Sequence, residues 1–557
     1  MRTRLWFSTA LGSVAIRSAL AAGPIVTLGK DQVTYRGSPR GLVEDFYSIE
    51  FAHDTSVNLR ITRPRGATAD SSEKLPVVVH LVGGGVVKGS AYDETFDPAN
   101  LVARSMTLNK PIIHAVLNYR LTIFGFARLP ILKDRRSLNR ITSFGLSSGG
   151  TFTSLHLMTY AGEQGVPFTQ AWVMSGPPGT ALNMTSDATE THTYAVAERL
   201  GCNQDDDKAI LDCLRGIPMD KLTETTMEYS VGNHPPAGLF TFIPSVDGGF
   251  LPDRQSTLYK AGKFVKGIPI VFGWVQDDGA TNAGPAPLFE AEEDMKTPIK
   301  NFAHALTDED YERLFSLYPD GDFETDVHNY EARKADDDSA APVHYFHIAR
   351  IMRDLLFTCS SIAFGFEMER QSLAVDGFSG VYHYALNQSM VTPLFHAAGM
   401  PYLGAVHGSD VDYLYNNMFP RDQMSESDLH VSDTLIKSFV NFAYTGQPNG
   451  EGLPPWPRSF PGIANRQNPQ AQSDSLESFG LRALGGPLGK GVARVVRRSV
   501  GSAAGEQEGT AQIPLGDNVQ YGEMEFHILQ DRQRGVDRED LLERCTFINS
   551  LTEKLSH

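Results

Sequence analysis

The segment that most constrains this chain is Gly145-Leu146-Ser147-Ser148-Gly149-Gly150, set between the apolar stretch Arg140-Ile141-Thr142-Ser143-Phe144 and a helix-like run from Thr151 to Ala161. Between a strand and a helix, Gly-x-Ser-x-Gly puts a serine on a sharp turn with its hydroxyl exposed at the end of a sheet. Side chains at the glycine positions would collide with the neighbouring strand and helix. The pattern is short and recurs by chance, so other parts of the chain must support it.

A serine hydroxyl is a weak nucleophile at neutral pH and needs a base and an anion site. The anion site is expected at His80-Leu81-Val82-Gly83-Gly84-Gly85, after a predicted strand. Glycines there let backbone N–H groups face a developing oxyanion, and the N–H of Ser148 completes the site. In sites of this kind the acid follows the serine and the histidine comes last. The strand-like run Ile268 to Trp274 leads into Val275-Gln276-Asp277-Asp278-Gly279. Asp278 is the expected acid, with Asp277 as the alternative. Of 16 histidines, His407 in Gly404-Ala405-Val406-His407-Gly408-Ser409-Asp410 lies at a strand-to-loop exit, where catalytic groups gather. Each has a plainer explanation: solvated loop aspartates and a structural histidine.

The chain has 557 residues and a net charge of −17, which argues against nucleic acid as its partner because phosphate binding needs a basic face. Arg2 and Arg4, the apolar stretch Leu5 to Ile16, and the small residues Ser18 to Ala22 form a signal-peptide layout over residues 1–22, with Arg17 atypical. Residues 23–557 are then expected as the mature domain, secreted and extracellular. No later segment is long and apolar enough to span a bilayer, so stable membrane insertion is not expected. Four cysteines in an exported chain favour two disulfides. Three pairings are possible; Cys202 with Cys213 is the simplest, which leaves Cys359 with Cys545. Asn183-Met184-Thr185 and Asn387-Gln388-Ser389 are glycosylation sequons. No metal-ligand set and no cofactor motif is called for.

Continuous apolar runs at Pro76 to Val82, Pro111 to Tyr119, Ile141 to Phe144, Ala171 to Ser175, Ile268 to Trp274 and Val381 to Leu386 suit strands buried on both faces of a mostly parallel sheet. Helices are predicted at Asp187 to Leu200, Asp205 to Arg215 and Ser432 to Tyr444. From about Asn465 to Gln512 the chain is rich in Gly, Ala, Ser and Arg, and this stretch is expected to be a disordered surface insertion rather than a basic binding patch.

Together these residues resemble the type-B carboxylesterase/lipase family, the cholinesterase-like branch of the α/β-hydrolases, and most of all its secreted fungal members. The resemblance runs from about Leu75 to Leu551, interrupted by the Gly/Arg-rich insertion. It rests on Gly83-Gly84-Gly85, Asn118-Tyr119-Arg120-Leu121 with Phe124-Gly125-Phe126, Gly145 to Gly150, Ser175-Gly176-Pro177, Asp277-Asp278-Gly279 and His407-Gly408-Ser409-Asp410. It implies an α/β fold with a mostly parallel central sheet flanked by helices. It also implies Ser147, Asp278 and His407 as a triad and Gly84, Gly85 and Ser148 as oxyanion donors. The Cys202–Cys213 and Cys359–Cys545 pairings resemble family disulfides. The implied activity is cofactor-free hydrolysis of a small-molecule or lipid ester; oligomeric state is not implied.

Two family segments are missing. Near Ser56 to Leu59 the chain lacks several tens of residues that include a lid-type loop, and Ser137-Leu138-Asn139 runs straight into Arg140 where the family inserts a helix. Losing a covering helix removes about 1.5–3 kcal/mol for each large apolar side chain left exposed, against a total stability of about 5–15 kcal/mol. Two rivals to an active enzyme follow: a non-catalytic binding protein of the same fold, and an inactive product of an incomplete coding sequence.

Overall fold

The computed structural model describes residues 24–28, 33–50, 57–67, 74–127, 141–178, 188–234, 238–453 (without 304, 332, 333, 336, 337 and 339), 455–460, 478–485, 524–529 and 541–555 (without 553). The expected signal peptide, the Asn183 sequon and the junction at Ser137 to Asn139 lie outside these residues.

Two short strands, β1 (Ile25–Leu28) and β2 (Val33–Arg36), pair with each other. Eleven more form one sheet: β3 (Ser38–Arg40), β4 (Val43–Glu50), β5 (Asn58–Pro64), β6 (Val77–Leu81), β7 (Ile113–Leu117), β8 (Thr142–Leu146), β9 (Gln170–Met174), β10 (Ile270–Val275), β11 (Val381–Leu386), β12 (Ser478–Leu484) and β13 (Met524–Leu529). Their order is β13-β12-β11-β10-β9-β8-β6-β7-β5-β4-β3. Neighbours from β12 through β7 run parallel, and antiparallel strands extend both edges. This is an α/β fold built on a mostly parallel sheet.

The six apolar runs become β6 to β11, and their packing explains why they lack alternation. In β10, Ile270, Phe272 and Trp274 enter one core cluster while Val271 and Val275 enter another. In β9, Ala171 and Val173 face the first cluster and Trp172 and Met174 the second. A strand covered on both faces needs apolar residues at every position. Helices Val343–Arg353 and Cys359–Ser372 supply Ile348, Ile351, Ile362 and Phe364 to the first cluster. Helix Glu426–Thr445 supplies Val431, Leu435, Phe439 and Phe442 to the second. Trp172, fully buried, lies edge-on to Phe439 and Phe442 at 5.3 and 5.5 Å between ring centroids.

Several sequence boundaries need correction. The run read as an insertion over about 465–512 contains β12, which pairs parallel with β11. Its Phe479, Leu481 and Leu484 are buried, but Gly480, Arg482 and Ala483 hide that pattern in a Gly/Ala/Arg-rich composition. The remainder of that run lies outside the described residues. The helix expected from Thr151 to Ala161 instead spans Ser148–His156, because Tyr160 and Ala161 take positive φ of 51° and 56° and cannot continue it. The helix expected from Ser432 to Tyr444 begins at Glu426, where the Ser425 hydroxyl caps the Asp428 N–H at 3.1 Å.

Cys202 is bonded to Cys213 and Cys359 to Cys545. The latter ties helix Leu541–Ser550 to helix Cys359–Ser372. Asn387 is partly buried at the end of β11, where its N–H donates to Leu484. Among the described residues, the one helix between β7 and β8 is the five-residue Thr122–Phe126. It puts Phe126 against Phe152 of helix Ser148–His156, with Tyr119 on another side of the same ring at 5.5 Å. A short element thus covers part of the apolar surface beside the Gly145 to Gly150 turn.

Candidate active site

Ser147 follows β8 and immediately precedes helix Ser148–His156, with φ 58° and ψ −133°. A non-glycine residue in this region costs about 1–3 kcal/mol and persists only where its surroundings fix it. Here the Ser147 N–H donates to Met174 O at 2.9 Å and its carbonyl accepts from Thr151 N–H at 3.0 Å. Crowding accounts for the flanking glycines. A Cβ on Gly149 would lie 1.9 Å from Leu81 O, and one on Gly145 would lie 2.4 Å from the Gly149 carbonyl carbon.

The same crowding brings the glycine-rich loop onto the turn. A Cβ on Gly83 would sit 2.4 Å from Leu146 O and 3.1 Å from Ser147 Cβ. The loop then folds tightly through Gly84 and Gly85, at φ 132° and 60°. The Gly84 carbonyl accepts from Val87 and Lys88, and the Gly85 carbonyl from Phe240. The Tyr119 hydroxyl donates to Val82 O and pins the strand exit. Among the described residues no acceptor takes the N–H groups of Gly84, Gly85 or Ser148. Three donors beside a serine hydroxyl, one at a helix N-terminus, suit an oxyanion.

Asp278 follows β10 and is fully buried. Its Oδ1 lies 2.6 Å from His407 Nδ1, and its Oδ2 accepts from Ser175 Oγ at 2.6 Å and from Val275 N–H at 3.1 Å. Asp277 turns the other way, its Oδ2 accepting from Ala405 N–H at 2.9 Å. Its own N–H donates to Ala405 O at 2.8 Å, in a parallel bridge with Val406. One aspartate thus holds the imidazole and its neighbour braces the loop that carries it.

The His407 side chain is 20% exposed. Phe357 stacks on its ring at 4.8 Å between centroids. A Cβ on Gly408 would meet Leu146 Cδ2 at 3.5 Å, so the histidine loop rests on the residue preceding Ser147. Burial works to lower the imidazole pKa, but the hydrogen bond and charge of Asp278, with the charge of Asp410, outweigh it and the pKa is raised. A carboxylate on Nδ1 selects the tautomer that leaves Nε2 as the base. Burial pushes Asp410 up to about 6, with the charge of Asp278 adding to it, while the Tyr384 hydroxyl donates to its Oδ2 at 2.6 Å and works against the rise.

The chain joins Asp278 to His407 and packs the Gly83 to Gly85 loop and the His407 loop beside the turn that carries Ser147 and Ser148. Ser175, Phe357 and Asp410 were not assigned roles from the sequence. Ser175 and Asp410 stood inside quoted motifs, but Phe357 carried no local signal, since its contact depends on how helix Val343–Arg353 continues.

Residues 44–132 and 138–474 match the profile of the carboxylesterase family, and the interruption at 133–137 falls where the sequence runs short before β8. The chain is 30% identical over 392 residues to an inactive carboxylesterase-like protein of Byssochlamys spectabilis, covering 65% of this chain and 64% of that protein's length. It is 27% identical over 536 residues to a secreted lipase of Arthroderma benhamiae, covering 80% and 87%. The crystal structure of EstA from Aspergillus niger superposes with a TM-score of 0.67 at 16% identity, over 96% of this chain and 99% of that one.

Proposed function

The chain belongs to the carboxylesterase family, and from that premise we propose that it is a secreted serine hydrolase that cleaves carboxylic esters through an acyl-enzyme on Ser147. What carries the proposal is the 2.6 Å contact between His407 Nδ1 and Asp278 Oδ1, on a loop resting against the Ser147 turn. Ser147 Oγ attacks the ester carbonyl carbon while His407 Nε2 takes its proton. The N–H groups of Gly84, Gly85 and Ser148 hold the oxyanion. The tetrahedral species collapses, His407 returns the proton to the leaving alcohol oxygen, and Ser147 keeps the acyl group. Water, deprotonated by His407, then attacks the acyl carbon, and the carboxylic acid leaves as Ser147 regains its proton. The buried Asp278 carboxylate orients the imidazole and stabilises the imidazolium that forms. Two disulfides and the secreted lipase among the relatives support export. Among the described residues no helix is long and apolar enough to cross a membrane.

A non-catalytic binding role is favoured by one observation, the relative described as inactive. The two part on one experiment. The purified protein is treated with a fluorophosphonate and the adduct located by peptide mass spectrometry. A stoichiometric adduct on Ser147, absent from Ser147→Ala together with ester turnover, supports the hydrolase. A cooperatively folded protein that takes no label refutes it in favour of binding.

A further inference from the structure

Away from this site, His344, His347 and Asp320 each offer a ligand atom, and these atoms lie within 4.8 Å of one another. His344 and His347 stand three apart on helix Val343–Arg353, a spacing that puts both on one helix face. Asp320 opens the short turn Asp320–Asp322 that packs across that face. His347 is 3% exposed, and its Nε2 lies 3.3 Å from Asp320 Oδ1 without a hydrogen bond of proper geometry. His344 Nδ1 is likewise buried with no hydrogen-bond partner. Buried imidazole nitrogens are normally satisfied, and an unsatisfied pair facing a carboxylate calls for an explanation.

We propose that His344, His347 and Asp320 form a binding site for one late first-row divalent ion, of which Zn2+ is the type. Two imidazoles and one carboxylate are a nitrogen-rich set suited to zinc rather than to calcium or magnesium, which take oxygen ligands. Both disulfides are closed and all four cysteines are in them, so no thiolate competes for the ion. Ligand atoms around a tetrahedral zinc sit about 3.4 Å apart; His347 Nε2 and Asp320 Oδ1 already stand at 3.3 Å, and no pair in the cluster is more than 4.8 Å apart. Burial pushes the His347 pKa down to about 4, although the charge of Asp320 works to raise it. The charge of Arg544 opposes a cation at His347, and Asp322 pairs it at 2.8 Å. With three protein ligands and an exposed Asp320, the fourth position belongs to water.

The ion would clamp the turn at Asp320–Asp322 to the start of helix Val343–Arg353. The other end of that helix backs the candidate active site: a Cβ on Gly279, next to Asp278, would lie 2.2 Å from Ala349 O. The expected effect is on stability, independent of whether Ser147 is catalytic.

The test uses the full-length protein, stripped with chelator and titrated with Zn2+ by calorimetry and with Co2+ by visible absorption, alongside thermal melts. The expected result is one ion per chain, a four-coordinate Co2+ spectrum, and a Tm raised by Zn2+. Asp320→Asn and His344→Gln, at positions less buried than His347, should each weaken binding at least 10-fold and abolish the Tm shift while folding cooperatively. Absence of a stoichiometric ion in the parent protein overturns the proposal. So does unchanged affinity in both variants, which would place the ion on other histidines.

Discussion

Ser175 Oγ donates to Asp278 Oδ2 at 2.6 Å, on the oxygen opposite the one that faces His407. The carboxylate is thereby held from both sides, and its orientation depends on a serine at the end of the neighbouring strand. Hydrogen bonds to charged groups contribute about 1.5–3 kcal/mol. Ser175→Ala should therefore lower kcat/KM roughly 10-fold or more, with little change in labelling stoichiometry, as measured with a chromogenic ester. Unchanged kinetics would mean that Val275 N–H alone positions Asp278.

The two adjacent aspartates should separate cleanly. Asp278→Asn keeps the shape but reverses the tautomer preference of His407, and kcat should fall by about 10³–10⁴. Asp277→Asn should leave most of the chemistry and instead weaken the loop carrying His407, by about 1–3 kcal/mol in unfolding free energy. Parallel denaturant melts and ester kinetics check both. If Asp277→Asn is the more damaging to turnover, the assignment of the acid is wrong.

Because Asp278 and Asp410 together raise the His407 pKa, the acid limb of kcat/KM should have its midpoint above the ordinary imidazole value of about 6.5. Activity is lost as pH falls through that midpoint, since the base must be neutral. Asp410→Asn removes one raising charge and should move the midpoint down. The same pairing favours the folded state fully below the unfolded imidazole pKa, and its contribution disappears as pH rises through the folded one. A pH–rate profile of both proteins decides; a limb that does not move in Asp410→Asn dismisses the coupling.

The two disulfides should differ in worth. With sequence separations of 11 and 186 residues, the chain-entropy model assigns about 3 kcal/mol to Cys202–Cys213 and about 5 kcal/mol to Cys359–Cys545. Double serine variants compared by denaturant unfolding should show the second pair as the larger loss. The reverse order would locate the stabilisation in local packing around helices Ala188–Arg199 and Asp207–Gly216.

The sheet interior was legible because burial on both faces leaves a signature in every residue, as in Ile270 to Val275. The turn at Ser147 was legible because its glycines are enforced by contacts under 3 Å, such as Gly149 on Leu81 O. Asp278 could be preferred to Asp277 from the sequence, but their division of labour could not, since it depends on where residues 404–406 return. The strand β12, paired on both sides by β11 and β13, was hidden because Gly480, Arg482 and Ala483 interrupt its apolar residues. The cluster of Asp320, His344 and His347 was hidden because Asp320 meets the two histidines only through the packing of a turn on a helix.

The bond between Cys359 and Cys545 spans β11, the His407 loop and β12. A peptidase that cut the backbone once, anywhere between those two cysteines, would therefore leave a two-chain molecule rather than two fragments. Such a nicked species would migrate as one band on a non-reducing gel and separate only on reduction. It would keep Phe357, two residues before Cys359, beside the anchored C-terminal helix.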